Sequence, residues 1–197
     1  MRIVEILFYD ANKVKLVVEM PDPDRCTTEA SPHVPVSLFR LFPHLARHKC
    51  HNGHGHSFKR EAMATEVPHL LEHLIMELQN QAQHHDQLKG ETQWNWRVDP
   101  RGTFHVHVEY ENEQLVLAAI HLAERMVNAL DRDGVETIDI DYEMTRLQRI
   151  AQLGQDLRSD TTGYVPARLS LEGAMAGAKG GRSRSRGTSR TRKQAES

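Results

Sequence analysis

One segment of the chain alternates apolar and polar residues in strict succession. Between residues 103 and 111, four apolar side chains alternate with four ionisable ones: Phe104, Val106, Val108 and Tyr110 against His105, His107, Glu109 and Glu111. Successive side chains of a β-strand point to opposite faces, so this pattern predicts a strand with one apolar face and one face of potential ligands. Any fold of this chain must therefore bury one face of this strand.

The remaining patterns predict two β-hairpins and four helices. A short polar turn at residues 10–13 joins the strands of the first hairpin, and an Asp-Pro-Arg-Gly turn at residues 99–102 joins those of the second. The predicted strands are Arg2–Tyr9, 14–20, 92–98 and 103–111, and the predicted helices are 38–48, one from about Pro68, 115–130 and 141–158. This order predicts an α+β fold in which helices are layered on a mainly antiparallel sheet.

Length and composition indicate a soluble globular protein. The 197 residues are 39% hydrophobic and 26% charged, which is ordinary for one domain with tails. No run approaches the roughly 20 apolar residues that span a bilayer, and the first residues lack the basic and apolar regions of a signal peptide. Two cysteines, Cys26 and Cys50, are too few for a disulfide scaffold. We therefore expect a cytoplasmic protein with no membrane partner.

The last 22 residues differ from the rest in charge. They contain seven Lys and Arg residues and one Glu, whereas the preceding 175 residues contain 18 basic and 26 acidic ones. Because this segment has no residue that could anchor a core, burial cannot offset the entropy lost on ordering it. We expect an α+β domain over residues 1–160 and a flexible, disordered Arg-, Ser- and Gly-rich tail over 161–197. The tail is either a solvated extension or a contact for nucleic acid or an acidic partner.

The predicted helix from Pro68 carries the pattern His69-x-x-Glu72-His73, the inverted form of the H-E-x-x-H motif of zinc peptidases. At about 100° per residue, both imidazoles and the carboxylate share the helix face opposite a leucine stripe. Two imidazoles one turn apart can hold a divalent ion, usually zinc, while a nearby carboxylate acts as general base. The sequence predicts His69 and His73 as zinc ligands and Glu72 as the catalytic base. The alternative is a hydrated polar helix face, and the His-rich segment 50–56 could itself bind metal.

The third metal ligand has to come from another element. Glu109 lies on the polar face of the predicted fourth strand and is the preferred candidate, ahead of His107 on the same face and of Cys50. Glu77 shares the face of the motif helix but lies two turns beyond the first histidine, too far to bind the same ion. We therefore expect Glu77 to orient the second histidine.

Several motifs along the chain form one series: a His-x-Cys, a Gly-rich stretch ending in Phe, an H-x-x-E-H helix that continues into E-L-Q, and a strand with E-Y. They stand here as His48-Lys49-Cys50, residues 53–58, His69 to His73 with Glu77-Leu78-Gln79, and Glu109-Tyr110-Glu111. In this series, the chain resembles the N-terminal domain of cyanophycin synthetase, from residue 48 to residue 130 and more weakly over most of residues 1–160.

The resemblance implies that the chain is a stand-alone relative of this domain. The domain is itself similar to inverzincin-type metallohydrolases that clip the Arg-Asp polymer into primers. In that family the domain precedes ATP-grasp and ligase domains. A chain of 197 residues has room for neither, so we do not expect it to make the polymer. The resemblance implies a zinc-dependent peptidase or amidohydrolase acting on a peptide or on an Arg-Asp polymer related to cyanophycin. A non-catalytic module that binds a charged polymer or a partner protein is the alternative.

Two tryptophans, Trp94 and Trp96, alternate on the predicted third strand. We expect them to form a hairpin face or rim. An exposed pair could also stack on a guanidinium group of a substrate.

Overall fold

A four-stranded antiparallel sheet organises the protein. The computed structural model describes residues 1–10, 12–50, 57–83, 88–132 and 138–161, with side chains as far as residue 157. The strands are β1 (Arg2–Tyr9), β2 (Lys13–Glu19), β3 (Gly90–Gln93) and β4 (Thr103–Glu109), in the spatial order β1-β2-β4-β3. All pairings in this sheet are antiparallel, and the two predicted hairpins are β1–β2 and β3–β4.

The sheet has an apolar inner face and a polar outer face. Six fully buried residues of the two central strands form the inner face: Val14, Leu16, Val18, Phe104, Val106 and Val108. The alternate residues, among them Lys15, His107 and Glu109, lie partly exposed on the outer face. Because the apolar side chains belong to the hydrophobic core, the helices cover the inner face.

Five α-helices lie in the described part of the chain: α1 (His33–Leu41), α2 (Phe58–Glu61), α3 (Val67–Gln83), α4 (Glu113–Asp131) and α5 (Ile140–Thr161). α3 packs on β3 and β4 and also contacts α4 and α5. This arrangement confirms the predicted α+β class with helices layered on an antiparallel sheet. Across the described ranges, no helix is long and apolar enough to cross a membrane.

The third strand is shorter than predicted and lies earlier in the chain. β3 ends at Gln93, whereas the predicted strand covered residues 92–98. The carbonyl of Asn95 accepts hydrogen bonds from the N–H groups of Val98 and Asp99, which form a turn where the prediction continues the strand. Trp94 and Trp96 therefore lie beyond the strand, in the connection to β4.

The first helix also differs from the prediction over 38–48. α1 begins at His33 and ends at Leu41 because Pro43 disfavours helical geometry at Phe42, whose φ is −129° and ψ 81°. A short 3-10 helix, Leu45–Arg47, completes the predicted range.

Two segments singled out in the sequence lie outside the described residues. They are residues 162–197, which make up nearly all of the predicted tail, and most of the His-rich segment 50–56. The limits of the domain and of the tail therefore remain a prediction.

Candidate functional site

Three potential metal ligands converge beside the N-terminal half of α3. His69 and His73 lie one turn apart on α3, and Cys50 lies in the segment between the 3-10 helix and α2. One ligand atom of each residue lies within 4.8 Å of those of the other two, and Cys50 Sγ is 3.4 Å from His69 Nε2. Within the described residues, this is the one group of three or more His, Cys, Asp or Glu side chains close enough to share an ion.

The hydroxyl of Thr65 fixes the orientation of His69. His69 Nδ1 lies 2.7 Å from Thr65 Oγ1, and that hydroxyl donates to Glu66 Oε2 at 3.3 Å. Because the hydroxyl proton is engaged with Glu66, Thr65 Oγ1 accepts from His69 Nδ1, which places the proton of the neutral ring on Nδ1. The lone pair of His69 Nε2 is then available on the side of the Cys50 thiol.

A chain of hydrogen bonds leads from Glu77 to His73 through His48. Glu77 Oε2 is 2.8 Å from His48 Nε2, and His48 Nδ1 is 3.1 Å from His73 Nδ1. Gln81 Nε2 donates to the other carboxylate oxygen of Glu77 at 2.6 Å. Because a carboxylate only accepts, His48 donates to Glu77 through Nε2, and a neutral His48 ring then accepts through Nδ1 from His73 Nδ1. This network leaves His73 Nε2 with the lone pair that a metal requires.

The polar face of α3 is buried. Glu72 is 3% exposed and His73 2% exposed, and Phe58 of α2 stacks on the His73 ring with 3.7 Å between the ring centroids. Burial lowers the pKa of His69, and burial together with the His69 and His48 rings lowers the pKa of His73 to about 2. Both imidazoles are therefore neutral near pH 7, which is the form that binds metals. This face is not the hydrated surface considered as the alternative.

Glu72 lies beneath β3. Its Oε2 accepts a 2.6 Å hydrogen bond from the Thr92 hydroxyl, and a Cβ at Gly90 would lie 2.5 Å from its Oε1. Burial raises the pKa of Glu72 to about 7, although the hydrogen bond from Thr92 opposes this effect. A carboxyl group with such a pKa can exchange protons at neutral pH, as a general base must.

Glu109 and His107 lie on the outer face of the sheet, away from α3. Glu109 Oε2 accepts from the Lys89 N–H at 3.1 Å, and His107 Nδ1 is 2.7 Å from the Tyr9 hydroxyl. Strand alternation predicts that the two side chains share a face, but α3 packs against the opposite one. The structure therefore places the preferred third ligand, Glu109, and the alternative His107 outside the cluster, and brings Cys50 to the two histidines instead.

The structure adds His48, Thr65 and Thr92 to the residues that the sequence predicts for the site. Glu77, which the sequence predicts to orient His73, contacts it through His48. The His-x-Cys spacing is a signal that could have found His48, because residues two apart in an extended segment lie on one side. Thr65 and Thr92 give no such signal, since their contacts with α3 side chains depend on tertiary packing.

The comparison with known families concerns the same region. The model of the cyanophycin synthase-like N-terminal domain matches residues 15–132, more than half of the chain. The chain belongs to this family. A search of curated proteins gives no match. The matched range extends from within β2 to the end of α4. It contains every side chain of the site around α3.

Proposed function

We propose that the protein is a metal-dependent amide hydrolase, in which Cys50, His69 and His73 hold a zinc ion and Glu72 is the general base. The observation that carries the proposal is the convergence of the three potential ligands at α3, the helix that also carries the buried carboxyl group of Glu72. A helix that only packs seldom carries both a buried acid and two histidines that each have one ring nitrogen already hydrogen-bonded.

The donor set fits zinc. Zinc in proteins binds imidazole nitrogen and thiolate sulfur, and the cluster offers two of the first and one of the second. Three protein ligands leave a position for water or substrate, as catalytic zinc sites do. Thr65 and His48 engage the Nδ1 atoms of the two imidazoles, an arrangement that raises ligand basicity.

Each residue has a defined task in the proposed reaction. A zinc ion, when bound, acts as a Lewis acid that polarises the amide carbonyl. Glu72 takes a proton from the attacking water and delivers it to the leaving amine. The Thr92 hydroxyl fixes one oxygen of this carboxylate, and burial under β3 keeps bulk water away from it.

The family supports a substrate class. A domain similar to part of cyanophycin synthase favours a role related to cyanophycin. We therefore propose that the substrate is a peptide or an Arg-Asp polymer of that type. The backbone of such a substrate is joined by amide bonds, and an amide is the type of bond that an H-x-x-E-H site would cleave.

Elemental analysis of protein purified without a histidine tag tests the proposal. We expect one zinc ion per chain in the wild type and none in His69→Ala or His73→Ala. His121→Ala is the matched control because His121 lies exposed on α4, away from the cluster, and it should keep its zinc. The same preparations are then assayed for hydrolysis of purified Arg-Asp polymer and of ordinary peptides.

Two results would contradict the proposal. A metal-free native protein whose stability does not change on adding zinc would remove the metal site. A zinc-loaded protein that binds the polymer without cleaving it would instead support a non-catalytic binding module.

A further inference from the structure

β3 is an edge strand with one open side. In the sheet order β1-β2-β4-β3 it pairs with β4, and in the described part of the chain no further strand pairs with it. Such an edge presents main-chain N–H and C=O groups on which another extended chain can form hydrogen bonds.

The register identifies the outward-directed groups. In an antiparallel pair, alternate residues bond to the partner strand and the residues between them direct their N–H and C=O groups the other way. The Glu109 N–H donates to the Lys89 carbonyl at 2.9 Å, so Lys89, Glu91 and Gln93 are the residues that bond to β4. Gly90 and Thr92 therefore direct their main-chain groups to the open edge.

The same two residues lie directly over the proposed general base. The Thr92 side chain donates to Glu72 Oε2, and Gly90 is in close contact with the Glu72 carboxyl group. A chain bonded to the edge at Gly90 and Thr92 would thus run alongside the carboxyl group that is proposed to act on its amide bonds. This continuity between the edge and the site favours a substrate chain as the occupant.

Two exposed aromatic rings follow β3 along the chain. Trp94 is 44% exposed and Trp96 37% exposed, and both rest on the buried ring of Phe104. The Trp96 Nε1 donates to the Thr103 carbonyl, which fixes that ring. Large, fixed and partly exposed rings provide contact area at little entropic cost.

We propose that an extended polyamide substrate binds as a fifth strand along β3, with main-chain hydrogen bonds to Gly90 and Thr92 and with side chains against Trp94 and Trp96. The inference rests on the proposed function, because it names how the substrate reaches Glu72. It assigns recognition to the main chain, so substrates with different side chains share one binding mode.

Amide hydrogen exchange measured by NMR tests the binding mode. The full-length Glu72→Gln protein is used because this substitution should prevent turnover, and zinc is supplied to keep the site intact. The protein is mixed with purified Arg-Asp polymer fragments or with an unstructured peptide. The Gly90 and Thr92 amides should exchange at least tenfold more slowly on binding. The Glu91 and Gln93 amides, already bonded to β4, should change little and serve as internal controls.

A pair of variants separates the main-chain contact from the side-chain one. Thr92→Val removes the hydroxyl but keeps the edge N–H, whereas Thr92→Pro removes both, and proline is tolerated on edge strands. We expect Thr92→Pro to bind the fragments at least tenfold more weakly than Thr92→Val. Quenching of tryptophan fluorescence reports the affinity, since Trp94 and Trp96 are the two tryptophans of the chain.

The results separate this inference from the proposed function. If the wild type cleaves nothing but exchange at Gly90 and Thr92 still slows on binding, the binding mode is supported and the proposed hydrolase function is overturned. Hydrolysis or fluorescence quenching without slowed exchange at these amides would overturn the binding mode alone. Absence of any binding by either probe would also overturn it.

Discussion

Two histidines that look equivalent in the sequence are held in different ways. His69 is fixed by a threonine hydroxyl, whereas His73 is fixed through a second histidine, Glu77 and a glutamine. Both arrangements leave Nε2 as the acceptor. A change at Glu77 should therefore act on the second ligand and not on the first.

The clearest test at this scale is Glu72→Gln. Glutamine keeps the size of the side chain and can still accept from Thr92, but it cannot take a proton. We expect the zinc content and fold to be retained and hydrolysis to fall by about 100-fold or more. Elemental analysis and polymer cleavage measure the two effects, and loss of zinc would mean that Glu72 is a ligand.

The third ligand is tested by comparing Cys50→Ser with Glu109→Ala. Cys50 meets the histidines, while Glu109 is bonded to Lys89 on the outer face. We expect Cys50→Ser to weaken zinc binding by more than about tenfold and Glu109→Ala to leave it unchanged. Competition with a zinc chelator measures both affinities, and the reverse order of effects would restore the carboxylate as the ligand.

At the scale of elements, the contact of β3 with α3 depends on a glycine. A Cβ at Gly90 would meet the Glu72 carboxyl group, which is buried and held by Thr92 and so cannot move freely. We expect Gly90→Ala to cost about 1–3 kcal/mol of unfolding free energy and to reduce hydrolysis while keeping zinc. Urea unfolding measures the stability, and elemental analysis measures the zinc content. The variant Gln93→Ala, on the outer face of the same strand, should change neither the stability nor the zinc content.

The contact between α4 and α5 depends on the buried Glu143. Its carboxylate accepts from Arg125 of α4 at 2.7 Å and from Arg146 of α5 at 2.8 Å. Burial alone would raise the pKa of Glu143, but the hydrogen bonds and charges of the two arginines outweigh it and lower the pKa. A lowered pKa in the folded state means that this carboxylate stabilises the protein above its ordinary pKa of 4.5.

We therefore expect Glu143 to contribute to acid unfolding. The free energy of unfolding should fall as the pH drops from 4.5 through the lower folded-state pKa, because the unfolded chain takes up the proton first. Glu143→Gln should be less stable at pH 7 by about 1–3 kcal/mol and lose this part of the pH dependence. Asp141→Asn, an exposed neighbour on α5, is the control, and an equal loss there would show that α5 responds to charge alone.

At the scale of the whole molecule, composition separates the folded body from the last residues of the chain. Residues 176–197 contain no large apolar side chain, so their removal should take away little buried surface. We expect deletion of this segment to shift the melting temperature by less than about 2 °C. Differential scanning calorimetry measures the shift, and a larger drop would mean that the basic segment docks on the acidic body.

Local periodicity determined much of the architecture. Strand alternation, turn residues and helical spacing predict both hairpins, α3, α4 and α5, because backbone geometry repeats every two or about 3.6 residues whatever the surroundings. The same repeat places His69, Glu72 and His73 on one side of α3. It failed where a local interaction intervened, as when Asn95 ended β3 early and Pro43 ended α1.

Tertiary packing decided which of these faces meet. Alternation puts Glu109 and His107 on one face of β4, but it does not say that α3 covers the other face, nor that the chain before α2 carries Cys50 to the two histidines. The burial of Glu72 under Gly90 and Thr92, with its raised pKa, likewise joins residues far apart in the chain. Such contacts depend on the packing of whole elements, since the repeat of a strand or helix fixes the direction of a side chain but not the neighbour that it meets.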